Sequence, residues 1–307
     1  MKIVISGATG FIGSHLVRAL EARGDKVVAL TRNVLRASRA LGPGVDVMEW
    51  NPSKPGEWVE AVNGAGAVVN LAGETVVSPT KPWTAGEKTR IRASRVDTTR
   101  ALVAAIAQAS AKPPVFVNAS AIGYYGSRGD VQLTESSPPG SDFLARLCVD
   151  WEAAAKEVEP AGVRLVLVRT GIVLGKDGGV LPMLALPFRF FAGGTMGNPG
   201  QWVSWIHIDD EVGLMLSAID NREMKGPINL TAPNPVTMER FSRDIGRTLE
   251  RPSWVPAIGL AMKLGLGERG SVLLASQRVL PEVAQQSGYT FRYIDSAVAI
   301  RSLLFPE

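Results

Sequence analysis

Residues 2–13 read KIVISGATGFIG, an apolar run that leads into three glycines at three-residue spacing. The next residues, SHLVRAL, have apolar side chains at helical spacing. In such a strand–turn–helix, Gly7 permits the tight turn, Gly10 lets backbone amides approach a pyrophosphate, and Gly13 lets the helix pack closely on the sheet. The helix N-terminus adds unpaired N–H groups and the positive end of its dipole. The residues predicted to bind a dinucleotide here are Gly7, Ala8, Thr9, Gly10, Phe11 and Ile12.

Apolar, β-branched runs alternate with helical patterns along the first two-thirds of the chain. The predicted strands are KIVISG, KVVALTR, VDVMEW, GAVVNLAGE, PPVFVNASA and RLVLVRTGIVLG. Continuously apolar strands that alternate with helices predict an α/β fold, a Rossmann-type doubly wound parallel sheet covered on both faces. We expect an NAD(P)-binding domain over residues 1–250, with substrate-side insertions from about residue 175, and a small helical C-terminal domain over residues 251–307.

Composition excludes several classes of protein. The 307 residues contain 46% hydrophobic and 20% charged residues, and no apolar run approaches the roughly 20 residues that a membrane span needs. The N-terminus has the pattern of a core strand and not of a signal peptide. One cysteine, Cys148, excludes an internal disulfide, and with two histidines it argues against a structural zinc site. The net charge of +4 is dispersed, which argues against nucleic-acid binding. We expect a cytoplasmic monomer or homodimer.

The choice of cofactor depends on the end of the second predicted strand, Thr31, Arg32 and Asn33. An acidic residue at this place would accept from the 2′-hydroxyl of NAD, whereas an arginine pairs with the 2′-phosphate of NADP. The sequence has no acid there, and Arg36 lies one helical turn beyond Arg32. The pattern therefore predicts NADP(H), with a solvated arginine beside an NAD site as the alternative.

Further motifs occur in a fixed order along the chain. They are Asn70–Glu74 (NLAGE), Trp83, Ser94-Arg95, Ser120–Gly126 (SAIGYYG), Phe143–Ala145 with Trp151-Glu152, Trp205–Asp210 (WIHIDD), Asn229–Pro235 (NLTAPNP) and Gln277–Pro281 (QRVLP). Together with the glycine spacing they resemble the extended branch of the short-chain dehydrogenase/reductases. Within it they resemble the atypical "epimerase family" that is often mislabelled as cell-division inhibitors.

The resemblance covers essentially the whole chain, including the C-terminal domain. It implies a Rossmann fold that binds NADP(H), and it leaves the substrate open. It also implies further residues beside the cofactor, namely Leu71, Ala72, Gly73, Glu74, Arg95 and Ser120.

The catalytic pattern of the superfamily is incomplete in this chain. Its reductases and epimerases place a Ser or Thr after the fifth strand and a Tyr-x-x-x-Lys on the next helix, where the lysine lowers the pKa of the tyrosine. Ser120 stands at the first place. When Glu152 is aligned with the acidic residue after the pair, Leu144 and Cys148 take the tyrosine and lysine positions, and no Tyr-x-x-x-Lys occurs elsewhere.

The catalytic candidates are therefore Ser120 and two nearby tyrosines, Tyr124 and Tyr125. Ser120 is expected to hydrogen-bond a substrate oxygen, unless the backbone satisfies it at the strand end. Tyr124 or Tyr125 is expected to donate a proton in place of the missing tyrosine, and at least one of the two is expected to be a packed loop aromatic. Cys148, among apolar neighbours on a helix, is expected to be a buried, inert thiol.

Other polar residues have both a functional and a structural interpretation. Arg95 would bind an anionic substrate or a phosphate on the nicotinamide side, or else pair on a helix face. Glu74 would line the cleft or be an ordinary loop carboxylate. His207 is expected to be a core histidine, with Asp209 as the N-cap of the following helix.

Three functions are consistent with these residues. The leading one is an NADP(H)-dependent oxidoreductase of altered chemistry. The second is a catalytically silent NADP(H)-binding protein that acts as a sensor or assembly factor. A nucleotide-sugar epimerase is less favoured, because that reaction needs the missing Tyr/Lys pair.

Overall fold

The structure is a computed structural model that describes residues 1–76, 81–255, 268 and 270–305. Its strands are β1 (Lys2–Ser6), β2 (Lys26–Thr31), β3 (Asp46–Glu49), β4 (Ala67–Asn70), β5 (Val115–Ala121), β6 (Gln132–Leu133), β7 (Arg164–Thr170), β8 (Ile172–Leu174), β9 (Trp202–Val203), β10 (Trp205–His207), β11 (Gly226–Leu230), β12 (Val236–Thr237) and β13 (Arg278–Val279). Its α-helices are α1 (Phe11–Ala22), α2 (Val34–Leu41), α3 (Trp58–Val62), α4 (Ala85–Gln108), α5 (Phe143–Lys156), α6 (Leu181–Arg189), α7 (Ile208–Asp220), α8 (Met238–Leu249), α9 (Gly270–Leu274), α10 (Glu282–Gln286) and α11 (Ser296–Leu304).

A parallel sheet of seven strands, in the order β11-β7-β5-β4-β1-β2-β3, organises the chain. The predicted Rossmann-type fold is confirmed, and five of the six predicted apolar runs are strands β1 to β5. The direction of strand progression reverses between β1 and β4, which in open α/β sheets is the crevice where ligands bind. The glycine-rich turn follows β1, so the topology places it at that crevice.

The sixth predicted run, RLVLVRTGIVLG, is divided by Gly171 into two strands. The first, β7, belongs to the main sheet, whereas β8 pairs with β10 in a separate two-stranded sheet. A Cβ atom on Gly171 would lie 2.7 Å from the Ser204 carbonyl oxygen, so the chain can turn between the strands only with glycine there. This turn carries the chain from the sheet to the segments that cover its carboxyl edge.

The core has two parts, one on each face of the sheet. Ile3 and Ile5 of β1 pack with Leu16 of α1 on one face, while Val4 packs with Ile106 of α4 on the other. Successive residues of a strand point to opposite faces, so a strand that is covered on both sides must be apolar throughout. The prediction of a doubly covered sheet is confirmed by this division.

The C-terminal residues pack against the main domain through helices and one short strand. The strand β13 pairs with β6, and Ser296 Oγ, at the start of α11, donates to Asp244 Oδ2 of α8 over 2.6 Å. The predicted helical domain did not include this strand. Much of its first part, residues 256–267 and 269, lies outside the described residues, and its boundary at residue 251 stays a prediction. Within the described part of the chain, no helix is long and apolar enough to cross a bilayer.

Candidate functional site

The turn after β1 forms a cradle that only glycine can build. Gly7 has a φ of +77°, and a Cβ atom on it would lie 2.6 Å from the Leu71 carbonyl carbon. A Cβ atom on Gly13 would lie 2.2 Å from the Gly7 carbonyl oxygen. Gly10 is the N-cap of α1 and supplies no side-chain hydrogen bond to it, and the first turn carries no acidic residue. The first amides of α1 are therefore available to an anion, as a dinucleotide pyrophosphate requires.

The end of β2 presents two exposed arginines, Arg32 and Arg36. Neither guanidinium forms a hydrogen bond or an ion pair with a described residue. Asn33 caps α2 by accepting from the Arg36 amide over 2.9 Å, which fixes the turn between them. The turn after β2, which is predicted to lie beside an adenosine ribose, therefore carries the positive charges of Arg32 and Arg36 and contains no carboxylate.

The end of β4 is tied to its neighbours by Asn70. Its side chain accepts from Ser6 Oγ over 2.6 Å and donates to Thr99 Oγ1 and Asn118 Oδ1 over 2.9 and 2.7 Å. These bonds fix β1, β4, β5 and α4 at the point where the strand order reverses. Leu71 lines the cleft that begins there.

A cleft of about 620 Å³ runs from the glycine cradle across the carboxyl edge of the sheet. At one end it is lined by Gly7, Gly10, Phe11 and Ile12, and Ser120 lies in its wall. Most of the other lining side chains are apolar, and they include Trp83, Phe143, Leu144, Leu147, Met183, Leu184, Met196, Trp202, Met215 and Met238. Helices and loops on several sides of the sheet edge supply these side chains, which is why the cleft is both deep and apolar.

Ser120 is the outer end of a buried polar network beneath the cleft. Its Oγ donates to Glu152 Oε1 over 2.7 Å. Glu152 is held by two bonds from Arg169, Nε to Oε1 at 2.8 Å and Nη2 to Oε2 at 2.9 Å, and both side chains are at most 5% exposed. Burial opposes the charge of Arg169, but the hydrogen bonds and attraction from Glu152 outweigh it and raise the pKa of that guanidinium. Because a carboxylate only accepts, Ser120 has no second proton to give and faces the cleft as an acceptor.

The two tyrosines of the predicted catalytic set belong to this network and not to the cleft wall. The Tyr125 hydroxyl donates to Asn229 Oδ1 over 2.7 Å and accepts from Arg169 Nη1 over 3.0 Å, and the residue is fully buried. Burial raises the pKa of Tyr125 to about 12. The Tyr124 ring stacks on the Arg169 guanidinium, whose central carbon is 3.5 Å from the ring centre. The described residues that line the cleft include neither tyrosine, so the geometry gives no support to their role as proton donors.

Leu144 and Cys148, at the positions of the missing pair, do face the cleft. Cys148 is 3% exposed, and burial raises the pKa of its thiol to about 12, with the nearby Glu152 adding to the effect. The predicted burial of this thiol is confirmed, and its lack of reactivity stays a prediction. The α5 helix therefore places Leu144 and Cys148 where the superfamily has its catalytic pair. Neither side chain carries a charge or exchanges a proton at neutral pH.

The second residue of the Ser94-Arg95 motif lines the same cleft. Arg95 Nη2 donates to the Glu74 carbonyl oxygen over 3.0 Å, and its guanidinium carbon is 5.2 Å from the centre of the Trp151 ring. The Glu74 carboxylate turns away and pairs with Arg90, Oε2 to Nε at 2.8 Å. Among the residues that the structure describes, Arg95 is therefore paired with no carboxylate on the helix face, which was the structural alternative that the sequence left open.

Two residues outside the cleft have structural roles. His207 is 3% exposed, stacks on Tyr293 with ring centres 3.7 Å apart, and accepts from the Asp209 amide over 3.0 Å at Nδ1. His207, and not Asp209, is therefore the N-cap of α7, because its ring reaches the amide two residues ahead. The expectation of a core histidine is confirmed. Trp205 is fully buried in the core.

Sequence reasoning missed a buried glutamate behind the cleft. Glu211 on α7 is fully buried, its Oε1 lies 2.8 Å from Thr170 Oγ1, and its Oε2 has no hydrogen-bond partner among the described residues. Burial raises the pKa of Glu211 to about 8, which favours the protonated, neutral form of the acid at pH 7. Thr170 lines the cleft, which connects the acid to it. In the sequence, Glu211 stands on the apolar face of a helix, and Arg169 stands inside an apolar strand. Charged residues at such positions indicate a buried polar site.

Two family models match the chain. The model described as "NAD dependent epimerase/dehydratase family" matches residues 3–230, and "Domain of unknown function (DUF1731)" matches residues 255–303. The chain is 41% identical over 310 residues to "Epimerase family protein SDR39U1 homolog, chloroplastic" of Arabidopsis thaliana, covering 99% of this chain and 87% of the relative. It is 34% identical to "Epimerase family protein YfhF" of Bacillus subtilis, covering 99% of this chain and 98% of that protein.

A solved structure has the same architecture over the whole chain. The human epimerase family protein SDR39U1 (isoform 2) with NADPH superposes with a TM-score of 0.90 at 31% identity, covering 100% of both chains. Sugar-nucleotide epimerases such as UDP-galactose 4-epimerase superpose with a TM-score of 0.74 at 19% identity, which shows the shared fold alone. With its glycine cradle, its parallel sheet and both family models in order, the chain belongs to the NAD dependent epimerase/dehydratase family, among the SDR39U1-like members in which a DUF1731 domain follows the epimerase domain.

Proposed function

We propose that this protein is an NADP(H)-dependent oxidoreductase whose proton chemistry differs from that of the superfamily. The observation that carries the proposal is the glycine cradle opening directly into a large apolar cleft, which gives a dinucleotide and a second small molecule one shared space. The NADPH that accompanies the human relative supports the same cofactor here. A cytoplasmic location and a monomeric or dimeric state belong to the proposal as well.

The bound cofactor would supply the hydride, and the protein would hold the two ligands. The amides of Phe11 and Ile12 at the start of α1 would bind the pyrophosphate, and Arg32 with Arg36 would bind the 2′-phosphate. Thr31 and Asn33 would flank the ribose at the same strand end. Ser120 would accept a hydrogen bond from a hydroxyl or amide of the substrate, since its own proton is engaged by Glu152.

A catalytically silent NADP(H)-binding protein is the second candidate. A specific observation favours it: within the described cleft wall, the positions of the catalytic pair hold Leu144 and Cys148, and both tyrosines are held elsewhere. The two candidates differ in turnover. An oxidoreductase consumes NADPH when a substrate is supplied, whereas a sensor copurifies with the cofactor and does not oxidise it. A nucleotide-sugar epimerase is not supported, because the tyrosine and lysine of that reaction are missing.

Exchanging Arg32 for aspartate should weaken NADPH binding and spare NADH. A charge-assisted bond to the 2′-phosphate contributes about 1.5–3 kcal/mol, so we expect wild type to bind NADPH about 10- to 100-fold more tightly than NADH. In Arg32→Asp this preference should disappear or reverse. Titration calorimetry with both nucleotides measures it.

Arg39→Asp provides the matched control for this experiment, because Arg39 is an exposed arginine at the other end of α2 and carries the same charge. The control should retain the preference of wild type. Equal dissociation constants for NADPH and NADH in wild type would contradict the assignment of NADP(H).

A further inference from the structure

Arg95 is held in a fixed position within the cleft by neutral groups. Its Nη2 donates to the Glu74 carbonyl oxygen over 3.0 Å and its Nη1 to the Ile91 carbonyl oxygen over 3.3 Å. Its guanidinium lies against the Trp151 ring on one side. Arg95 Nη1 also donates to Ser94 Oγ over 3.4 Å, so the Nε hydrogen and one hydrogen of Nη2 are the ones without a partner among the described residues. The Arg95 guanidinium is therefore held in one orientation, while some of its N–H groups remain available to a ligand.

The positive charge of Arg95 is not neutralised by a paired carboxylate within the described part of the chain. Glu74 contacts Arg95 through its carbonyl oxygen and gives its carboxylate to Arg90. Burial lowers the pKa of Arg95, and the nearby Cys148 and Glu74 offset this only in part. Arg95 is only half-buried, so water in the cleft can solvate its charge. A ligand that displaces this water would withdraw the charge from solvent, and binding then favours a ligand that carries the opposite charge.

Gly73 makes room for this arginine. A Cβ atom at Gly73 would lie 3.0 Å from Arg95 Cζ and 3.1 Å from Nη2. An alanine at this position would therefore require the guanidinium to shift by a few tenths of an ångström. The glycine of the NLAG stretch is explained by Arg95 and not by a turn, since its backbone has no positive φ.

The surroundings of Arg95 identify the rest of the ligand. The other charged side chains in the described cleft wall, Asp142 and Glu268, are acidic, and much of the remaining wall is apolar, with flexible methionines Met183, Met196 and Met215. The pyrophosphate has the glycine cradle and the 2′-phosphate has Arg32 in the proposed function. Arg95 is left for a second molecule.

We propose that Arg95 binds the carboxylate of the substrate, and that the substrate is a carboxylic acid with an otherwise apolar body. The planar donor edge of arginine matches the two oxygens of a carboxylate. The Trp151 ring and the backbone carbonyls keep this edge oriented before the ligand arrives. The inference rests on the proposed function, because it takes the cleft as shared with NADPH.

Binding of matched acids and alcohols to the NADPH-loaded protein tests the proposal. The probes are decanoate with 1-decanol, and 1-naphthoate with 1-naphthalenemethanol, followed by calorimetry or by tryptophan fluorescence. We expect the better acid of the two to bind wild type at least tenfold more tightly than its alcohol. In Arg95→Met, which keeps the aliphatic bulk, that preference should fall to about one. Arg95→Lys should keep part of it.

Two further measurements separate the possible failures. The affinity for NADPH should change less than threefold in Arg95→Met, and Gly73→Ala, which displaces the guanidinium without removing its charge, should also reduce the acid preference. No acid preference in wild type, or a preference that survives Arg95→Met, would overturn the proposal. So would a tenfold loss of NADPH affinity in Arg95→Met, since Arg95 would then serve a cofactor phosphate. Failure of wild type to bind NADPH at all would instead contradict the proposed function.

Discussion

Replacing Arg169 with methionine is expected to cost about 3–5 kcal/mol of unfolding free energy, because it leaves the buried carboxylate of Glu152 without its partner. Arg169 and Glu152 share two hydrogen bonds and are both almost completely buried. The same change removes the hydrogen bond that Arg169 Nη1 donates to the Tyr125 hydroxyl oxygen. Urea unfolding of wild type and variant, followed by circular dichroism, measures the loss.

The double variant Arg169→Met/Glu152→Met should recover most of that loss, since it removes both charges together. It should not recover all of it, because Ser120 and Tyr125 each lose a partner worth about 1 kcal/mol. Arg100→Met breaks the exposed pair between Arg100 and Glu157 and should change the free energy by less than about 1 kcal/mol. If Arg169→Met lowered the unfolding free energy no more than Arg100→Met does, the buried pair of Arg169 and Glu152 would not stabilise the fold.

Glu211→Gln is expected to become increasingly stable relative to wild type as the pH rises from 5 to 7.5. Burial raises the pKa of Glu211 to about 8 from a reference value of 4.5. Between these values the unfolded chain has released the proton and the folded chain retains it, so the unfolding free energy of wild type falls with rising pH. The slope for one such group is about 1.4 kcal/mol per pH unit, or about 3 kcal/mol over this range. Well below the lower pKa and well above the higher one, the contribution is constant.

The measured quantity is the difference in unfolding free energy between variant and wild type at each pH. Other titrating groups cancel in that difference, so its slope reports Glu211. Glu223→Gln changes an exposed glutamate just after α7 and is the matched surface control. A flat difference for Glu211→Gln would mean that Glu211 is ionised in the folded protein. A protonated Glu211 would retain one exchangeable proton behind Thr170 at the edge of the cleft.

The two expectations share one structural cause. Arg169, Glu152 and Glu211 are charged or ionisable residues that the parallel sheet and its helices withdraw from water beside the cleft. Ser120 and Thr170 connect these groups to the cleft wall. Buried residues behind the cleft wall therefore determine the polar character of the site, while the tyrosine and lysine positions of the superfamily hold Leu144 and Cys148.

The sequence by itself determined the parallel α/β fold and the glycine cradle. Strands β1 to β5 and β7 of the main sheet are recognisable because burial on both faces demands a continuous apolar run, and the glycines after β1 because the turn leaves no room for a Cβ atom. The apolar runs and the contact between Gly13 and Gly7 are local constraints, because they act on residues a few positions apart, whereas the contact between Gly7 and Leu71 depends on the packing of two strands.

Only the tertiary structure decided what the polar side chains do. Tyr125 meets Asn229, and Ser120 meets Glu152, through contacts between residues 104 and 32 positions apart in the chain. No pattern along the sequence shows whether Tyr125 points to the cleft or into the core, since both orientations suit the same tyrosine. The partner of a buried charge is set by strand order and helix packing, which bring distant residues together. For that reason the glycine-rich turn could be predicted from the sequence, whereas the partners of Tyr125, Arg95 and Glu211 followed from the folded chain.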